Sequence, residues 1–326
     1  MSDLVTGATG FTGGHLARRL AASGRTVRAL VRDRAGAADL ARSGVELVEG
    51  DIRDPDALHR ATTGVETVYH IAAVYRQAGI PDETYRAVNA TAVQHLIEAA
   101  ARHGVGRVVH CSTVGVHGDI EHPPANEDAP LKPGDIYQTT KLEGERLARE
   151  TGARLGIPVT IVRPTGIYGP GDRRLLRLFR GVAVQRFPML GSGEIYYHLT
   201  HIDDLVDGLR LCAEHPAAAN RTYILAGGEV TTLNELVRRI AEVAGVKPPR
   251  VHLPVWPFWA AGALCEAVCV PLGIEPPIFR RRVDFYTKSR AFDIARARAE
   301  IGYAPSVGLR DGIARTLAWY RQHGWI

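Results

Sequence analysis

The sequence predicts an α/β protein, a doubly wound parallel sheet followed by a smaller, mostly helical C-terminal domain. Three observations carry this expectation. Leu4-Val5-Thr6 is a short apolar run that breaks into a glycine-rich turn and then an amphipathic helical pattern. Further β-like runs at 27–31, 45–48, 67–73, 107–110 and 158–163 alternate with helical patterns, the mark of a parallel sheet covered on both faces. Past Gly171 the alternation stops. The expected division is therefore residues 1–170 and 171–326, with about 200–226 returning to the first unit through a late strand at 222–225.

Composition bounds the rest. A chain of 326 residues with 45% apolar and 23% charged content has ordinary globular values and ample capacity for a core. The net charge of +5 includes no long basic run, so no nucleic acid partner is expected, while an anionic cofactor is tolerated. Cys111, Cys212, Cys265 and Cys269 lack metal-ligand spacing, so no metal is expected, and a reduced cytoplasmic setting fits. No signal peptide is expected before the first strand, and no apolar run is long enough to span a bilayer.

The first turn reads Gly7-Ala8-Thr9-Gly10-Phe11-Thr12-Gly13, ahead of a helix ending near Ala22. Three glycines between a strand and a helix permit a tight turn, close backbone approach to a diphosphate and close helix–sheet packing. The helix N-terminus adds free N–H groups and a positive dipole end. After the second strand come Arg32-Asp33-Arg34. An acidic residue there bonds the ribose hydroxyls of NAD and an arginine accommodates the 2′-phosphate of NADP, so both cofactors stay open. Arg32 directly after Val31 favours NADP(H), though Asp33 could still reach the ribose.

A helix from about residue 83 to 102 carries Asn89, and strand five exits into Cys111-Ser112-Thr113. Residues 114–134 form a loop, and so do residues 164–171. Between those loops, Asp135-Ile136-Tyr137-Gln138-Thr139-Thr140-Lys141 opens a helix that places a phenol and an ammonium on one face. A tyrosine with an unperturbed pKa near ~10 is a weak base at neutral pH, and a neighbouring cation favours its charged form. With Thr113 or its neighbour Ser112 as a second hydroxyl, Tyr137 and Lys141 suffice for proton exchange with an alcohol or ketone oxygen. Farther on, a strand is expected at 195–200, a helix at 203–214, and a helix opened by the capping box Thr232-x-x-Glu235. Residues 251–279 place Trp256, Phe258, Trp259, Leu264, Val268 and Leu272 among five prolines. That stretch reads as a core helix of the second domain, an apolar pocket wall, or a patch that meets a membrane surface.

These motifs resemble those of the extended short-chain dehydrogenase/reductase superfamily, also called the NAD-dependent epimerase/dehydratase family. They are Thr6 to Gly13, Gly50-Asp51-Ile52, His70-Ile71-Ala72-Ala73, Asn89, Ser112-Thr113, Tyr137-x-x-x-Lys141, Arg163-Pro164 and Tyr168-Gly169-Pro170-Gly171. The resemblance implies a Rossmann fold, with Thr113, Tyr137 and Lys141 catalytic. It also implies Asp51, Ile52, Ala72, Ala73, Asn89, Pro164 and Ile167 along the cofactor, and dimerisation through the helices bearing Asn89 and Tyr137. Val74, Tyr75, Val114, Tyr168, Tyr197 and His198 are the expected substrate-pocket residues. Relatives that bind nucleotide-sugars usually carry a diphosphate-gripping Arg where this chain has Tyr197, and dehydratases follow the catalytic Thr with Asp-Glu, where Val114-Gly115 stand here. The second half looks more like the 3β-hydroxysteroid dehydrogenase-like branch. The expectation is hydride transfer with a hydrophobic alcohol or ketone, either sterol-like or a long-chain 3-hydroxy or 3-keto compound. The alternatives are a nucleotide-sugar 4-epimerase with tightly held NAD and a non-catalytic NAD(P)-sensing regulator.

Overall fold

The computed structural model describes residues 2–77, 79–269 and 280–326. Strands β1 (Ser2–Thr6), β2 (Thr26–Val31), β3 (Val45–Glu49), β4 (Thr67–His70), β5 (Arg107–Cys111) and β6 (Val159–Pro164) appear where the apolar runs place them. They are short and largely apolar because helices cover both faces of the sheet. β7 (Gly166–Tyr168) is a departure from the sequence expectation, since residues 164–171 read as a loop. Its backbone pairs in parallel with β9 (Tyr196–His201), a partner that local pattern does not reveal. β8 (Met189–Leu190), β10 (Thr222–Leu225), β11 (Val230–Thr232) and β12 (His252–Leu253) complete the strands of the described residues.

The main sheet has the order β10-β6-β5-β4-β1-β2-β3, and every pairing in it is parallel. The chain moves outward from β1 through β2 to β3, then returns to the other side of β1 with β4. That reversal opens a crevice beyond the carboxyl ends of β1 and β4, where ligands bind in open α/β sheets. β10 adds to the far edge beside β6, as the sequence suggested for residues 222–225. One face of the sheet is packed by Leu16, Leu20, Leu205 and Leu209, the other by Leu58, Leu96, Ile97 and Ala148. A third cluster, with Phe179, Leu236, Ile240, Leu317 and Tyr320, holds the C-terminal helices to the three-stranded sheet β11-β9-β7.

Two helices matter for the site. Ile136–Leu155 is capped by Asp135, whose Oδ1 accepts from the Gln138 N–H at 2.9 Å, and it ends on Gly156 in the left-handed conformation. Beside it runs a helix from Asp82 to Arg102 whose middle, Ala87–Thr91, widens to a π-turn around Asn89. The helices approach so closely that a Cβ on Gly144 would come within 2.2 Å of the Asn89 carbonyl oxygen.

The helix Trp256–Cys269 corrects one of the readings of residues 251–279. It is not a core helix, because only Gly262 in it is buried, while Trp256, Leu264 and Val268 are 72%, 68% and 54% exposed. Leu272 and the rest of 270–279 lie outside the described residues. Cys265 and Cys269 lie four residues apart on this helix, both partly exposed.

The helix Ile136–Leu155 is also bolted to β6 by charge. Arg163 donates two hydrogen bonds to Glu145, at 2.9 and 2.7 Å, and further ones to His117 and the Glu127 carbonyl. Both partners are buried, at 2% and 0% side-chain exposure. Burial alone would raise the Glu145 pKa, but hydrogen bonds and charge from Arg163 hold it below the ordinary carboxylate value. Arg163→Met removes the two short hydrogen bonds and leaves that buried carboxylate the longer Arg149 contact at 3.4 Å, so we expect a loss toward the lower end of about 3–5 kcal/mol at neutral pH. The pair stabilises the fold above the carboxylate range and its contribution is lost as pH falls through it, so wild type and variant should converge in acid. Urea unfolding at several pH values measures this, and equal midpoints at pH 7 would show that the pair contributes nothing.

Candidate active site

A cleft of ≈ 1430 Å³ runs along the carboxyl ends of β1, β4, β5 and β6 and under the helix Trp256–Cys269. It exceeds what a single drug-sized ligand fills, leaving room for a dinucleotide with a substrate beside it. Its floor begins at the glycine turn, where Gly7, Thr9, Gly10, Phe11, Thr12 and Gly13 all line the cleft. Gly7 has φ +71°, and a Cβ there would meet the Ala72 nitrogen at 2.7 Å. A Cβ on Gly13 would come within 2.3 Å of the Gly7 oxygen. The helix Phe11–Ala22 therefore starts directly on the turn, and its first N–H groups face the cleft as an anion cradle. This is the fit a dinucleotide diphosphate requires.

Arg32, Asp51 and Ile52 line the end of the cleft beside β2 and β3. Hydrogen bonds from Arg53 hold the Asp51 carboxyl below its ordinary value, assisted by the charge of Arg32. Asp33 departs from expectation. Its carboxylate caps the next turn, accepting from the Ala35 and Gly36 N–H groups at 2.9 and 3.1 Å, and it does not line the cleft. Asn89 is also displaced from its expected role along the cofactor. It is 0% exposed, and its amide is spent on both backbone groups of Val74 (2.8 and 3.1 Å) and on Thr140 (3.1 Å). It ties the loop after β4 to the helix Ile136–Leu155. Ala72, Ala73, Pro164 and Ile167 border the middle of the cleft.

Tyr137 and Lys141 reach the cleft from that helix, and Thr113 reaches it from the end of β5. Lys141 is 1% exposed, with its ammonium donating to the Cys111 carbonyl at 2.6 Å. Burial lowers its pKa, and the charges of Cys111 and Glu145 oppose that. Burial raises the Tyr137 pKa, Tyr75 and Cys111 add to the rise, and Arg76 and Arg174 oppose it. Thr113 accepts from the Gly115 N–H at 3.0 Å and is half-buried, whereas Ser112 is 4% exposed beside Glu145. Beneath Lys141, the rings of His70 and His110 stack at 5.1 Å, both fully enclosed. Burial, reinforced by Lys141, lowers the His70 pKa to about 3 and that of His110 well below its ordinary value.

At the substrate end, Val74, Tyr75, Val114, Tyr197 and His198 line the cleft. Tyr197 donates to the Phe285 carbonyl at 2.5 Å and lies against Arg290. His198 is fixed between the Gly227 carbonyl (2.8 Å) and the Phe292 N–H (3.3 Å). Tyr168 does not belong with them. It is 1% exposed, stacked on Phe179 and edge-on to His201, and forms core. Sequence reasoning missed Arg76, Arg174 and Arg290, which all line the cleft. Only Arg76 had a local signal, as the neighbour of Tyr75 in the loop after β4.

A family model for the NAD dependent epimerase/dehydratase family matches residues 4–226. The chain belongs to that family. It is an oxidoreductase of the extended short-chain dehydrogenase/reductase type. Sterol demethylase protein B of Methylococcus capsulatus is 31% identical over 100% of both chains. An Arabidopsis thaliana 3beta-hydroxysteroid-dehydrogenase/decarboxylase is 30% identical over 85% of this chain, which spans 52% of that longer protein. Among solved structures, a Streptomyces venezuelae dTDP-glucose 4,6-dehydratase with NAD bound superposes with a TM-score of 0.77, at 29% identity over 100% of this chain and 98% of that one.

Proposed function

We propose that the protein transfers hydride between NADP(H) and a secondary alcohol or ketone on a hydrophobic substrate, sterol-like or a long-chain 3-hydroxy or 3-keto compound. The observation that carries this reading is the apolar helix Trp256–Cys269 placed over a cleft that contains Thr113, Tyr137 and Lys141. Burying a rigid hydrocarbon against such a wall supplies affinity at roughly 25 cal/mol per Å². The sterol-acting relatives support the same substrate class.

The nicotinamide, when bound, gives or takes the hydride. The protein manages the proton. Tyr137 donates it to the substrate oxygen in reduction and removes it in oxidation, and Thr113 holds that oxygen by a hydrogen bond. Ser112, enclosed beside Glu145, is the poorer candidate for that bond. Lys141 contributes a positive charge that the low-dielectric site does not screen. The glycine turn and the helix N-terminus hold the diphosphate, Asp51 and Ile52 border the adenine, and Arg32 takes the 2′-phosphate.

One observation favours a second reading, a nucleotide-sugar 4-epimerase with tightly held NAD. Arg290 and Lys288 line the substrate end, so that end is not free of cations although Tyr197 replaces the usual diphosphate-gripping arginine. A non-catalytic sensor fits poorly, because the complete proton-transfer set faces the cleft.

Incubation with NADP+ and a panel of sterols and 3-hydroxyacyl compounds should produce reduced cofactor, and Tyr137→Phe should cut turnover by about 10²–10⁴ while still binding cofactor. Full turnover in that variant would end the proton-transfer assignment, and interconversion of nucleotide-sugars without net cofactor change would favour the epimerase. Arg32→Ala should weaken NADPH binding by about tenfold or more, the value of a hydrogen bond to a charged group, and leave NADH unchanged. Fluorescence titration with both cofactors decides this, and equal NADPH affinity removes Arg32 from the site.

The exposed face of the helix Trp256–Cys269 is proposed to rest on an anionic bilayer surface. No helix of the described residues is long and apolar enough to cross a membrane. Exposed Lys247 and Arg250 precede the helix, which suits acidic headgroups beside an apolar insertion. Co-sedimentation with phosphatidylserine vesicles should fall several-fold for Trp256→Ser with Leu264→Ser. Binding that is unaltered by both changes would place the contact elsewhere.

A further inference from the structure

The loop that leaves β4 brings a second cation to the phenol. The Arg76 guanidinium lies 5.6 Å from the centre of the Tyr137 ring and 5.8 Å from that of Tyr75, while the two tyrosines meet edge to face at 4.9 Å. Arg76 does not wander there. Its Nε and Nη2 both lie 2.8 Å from Asp135 Oδ2, and the other oxygen of that carboxylate caps the helix on which Tyr137 sits. The ion pair is partly enclosed, at 27% and 12% side-chain exposure, so solvent screens it incompletely. Val74, two residues earlier, is fastened to Asn89, which sets the path of the loop.

The other groups facing the phenol leave room for such a contribution. From β5 comes Cys111, whose carbonyl takes the Lys141 ammonium. Tyr75 disfavours a second negative charge, as does Cys111, and Arg174 comes from the loop after β7. Arg174 is itself bonded to Asp172 and to the Ile167 carbonyl, and its guanidinium lies over Phe11.

We propose that Arg76, held by Asp135, is a positioning residue that stabilises the phenolate of Tyr137 alongside Lys141. The proposal rests on the reading of Tyr137 as the acid/base. A cation at this distance favours the charged phenol, and the opposing Asp135 keeps the effect near the lower end of the usual range, about one pH unit. Removing the cation therefore raises the Tyr137 pKa, and the base form appears at higher pH.

The test uses the cofactor-bound protein labelled with ζ-13C tyrosine, with the Tyr137 resonance assigned by its loss in Tyr137→Phe. In Arg76→Gln the ionisation of Tyr137 should move up by about one pH unit, and Arg76→Lys should restore at least half of that shift. The tyrosine resonances other than those of Tyr137 and its neighbour Tyr75 should be unchanged, which shows that the fold is intact. With an accepted alcohol, the rising limb of kcat/KM against pH should move by the same amount. A phenolate that forms at the same pH in Arg76→Gln overturns the proposal, as does a wild-type Tyr137 that never ionises below the alkaline unfolding limit. A change in KM alone, with the pH profile fixed, also overturns it and assigns Arg76 to substrate binding. The resonance needs no substrate, so failure of the hydrophobic-substrate reading would leave this result standing.

Discussion

The site depends on a buried ammonium. Lys141 is 1% exposed and donates to the Cys111 carbonyl at 2.6 Å, and the helix that carries it is held in place. Three contacts enforce this. Arg163 grips Glu145 one turn farther along, Asn89 bonds Thr140 one residue before Lys141, and Gly144 lets the neighbouring backbone approach to contact distance. Each acts on the face of the helix that Tyr137 and Lys141 share. A displacement of even one ångström would aim the phenol away from the β5 exit, where Thr113 stands.

The two histidines below Lys141 follow from the same constraint. A protonated imidazole at His70 or His110 would face an ammonium in a dry interior, so both must stay neutral. Thr6 supports that state by bonding His70 Nδ1 at 2.8 Å while also accepting from the Ile71 and Ala72 N–H groups. The first strand, the exit of the fourth and the lysine of the helix Ile136–Leu155 are thus joined in one hydrogen-bonded and electrostatic unit. In the sequence His70 stands out only as part of the His70-Ile71-Ala72-Ala73 motif, and His110 carries no local sign of a role.

What was legible in the chain followed from local physics. Short apolar runs, glycines in a strand-to-helix turn and a capped helix with Tyr and Lys four apart each bear their structure within a few residues. Residues 222–225 could be read as a late strand for the same reason. What failed required a partner distant in sequence. β7 exists only because β9 lies beside it, and Tyr168 became core because Phe179 and His201 enclose it. Asp33 illustrates a competition that spacing cannot reveal. A carboxylate at a strand end can meet a ribose or cap the next turn, and here the cap takes it.

The substrate end was the least legible because it is assembled from separate stretches. Tyr75 and Arg76 come from the β4 exit, Tyr197 and His198 from β9, Trp259 and Glu266 from an exposed helix, and Arg290 from the segment that follows it. No window of the sequence contains two of these groups. The result is a graded cleft. Backbone N–H groups and glycines face the diphosphate end, where close approach matters most. A phenol and cations meet in the middle. At the mouth, apolar side chains such as Trp259 stand beside the cations Lys288 and Arg290. Residues from separate stretches thus meet at one mouth, which is why no single local motif in the sequence reveals it.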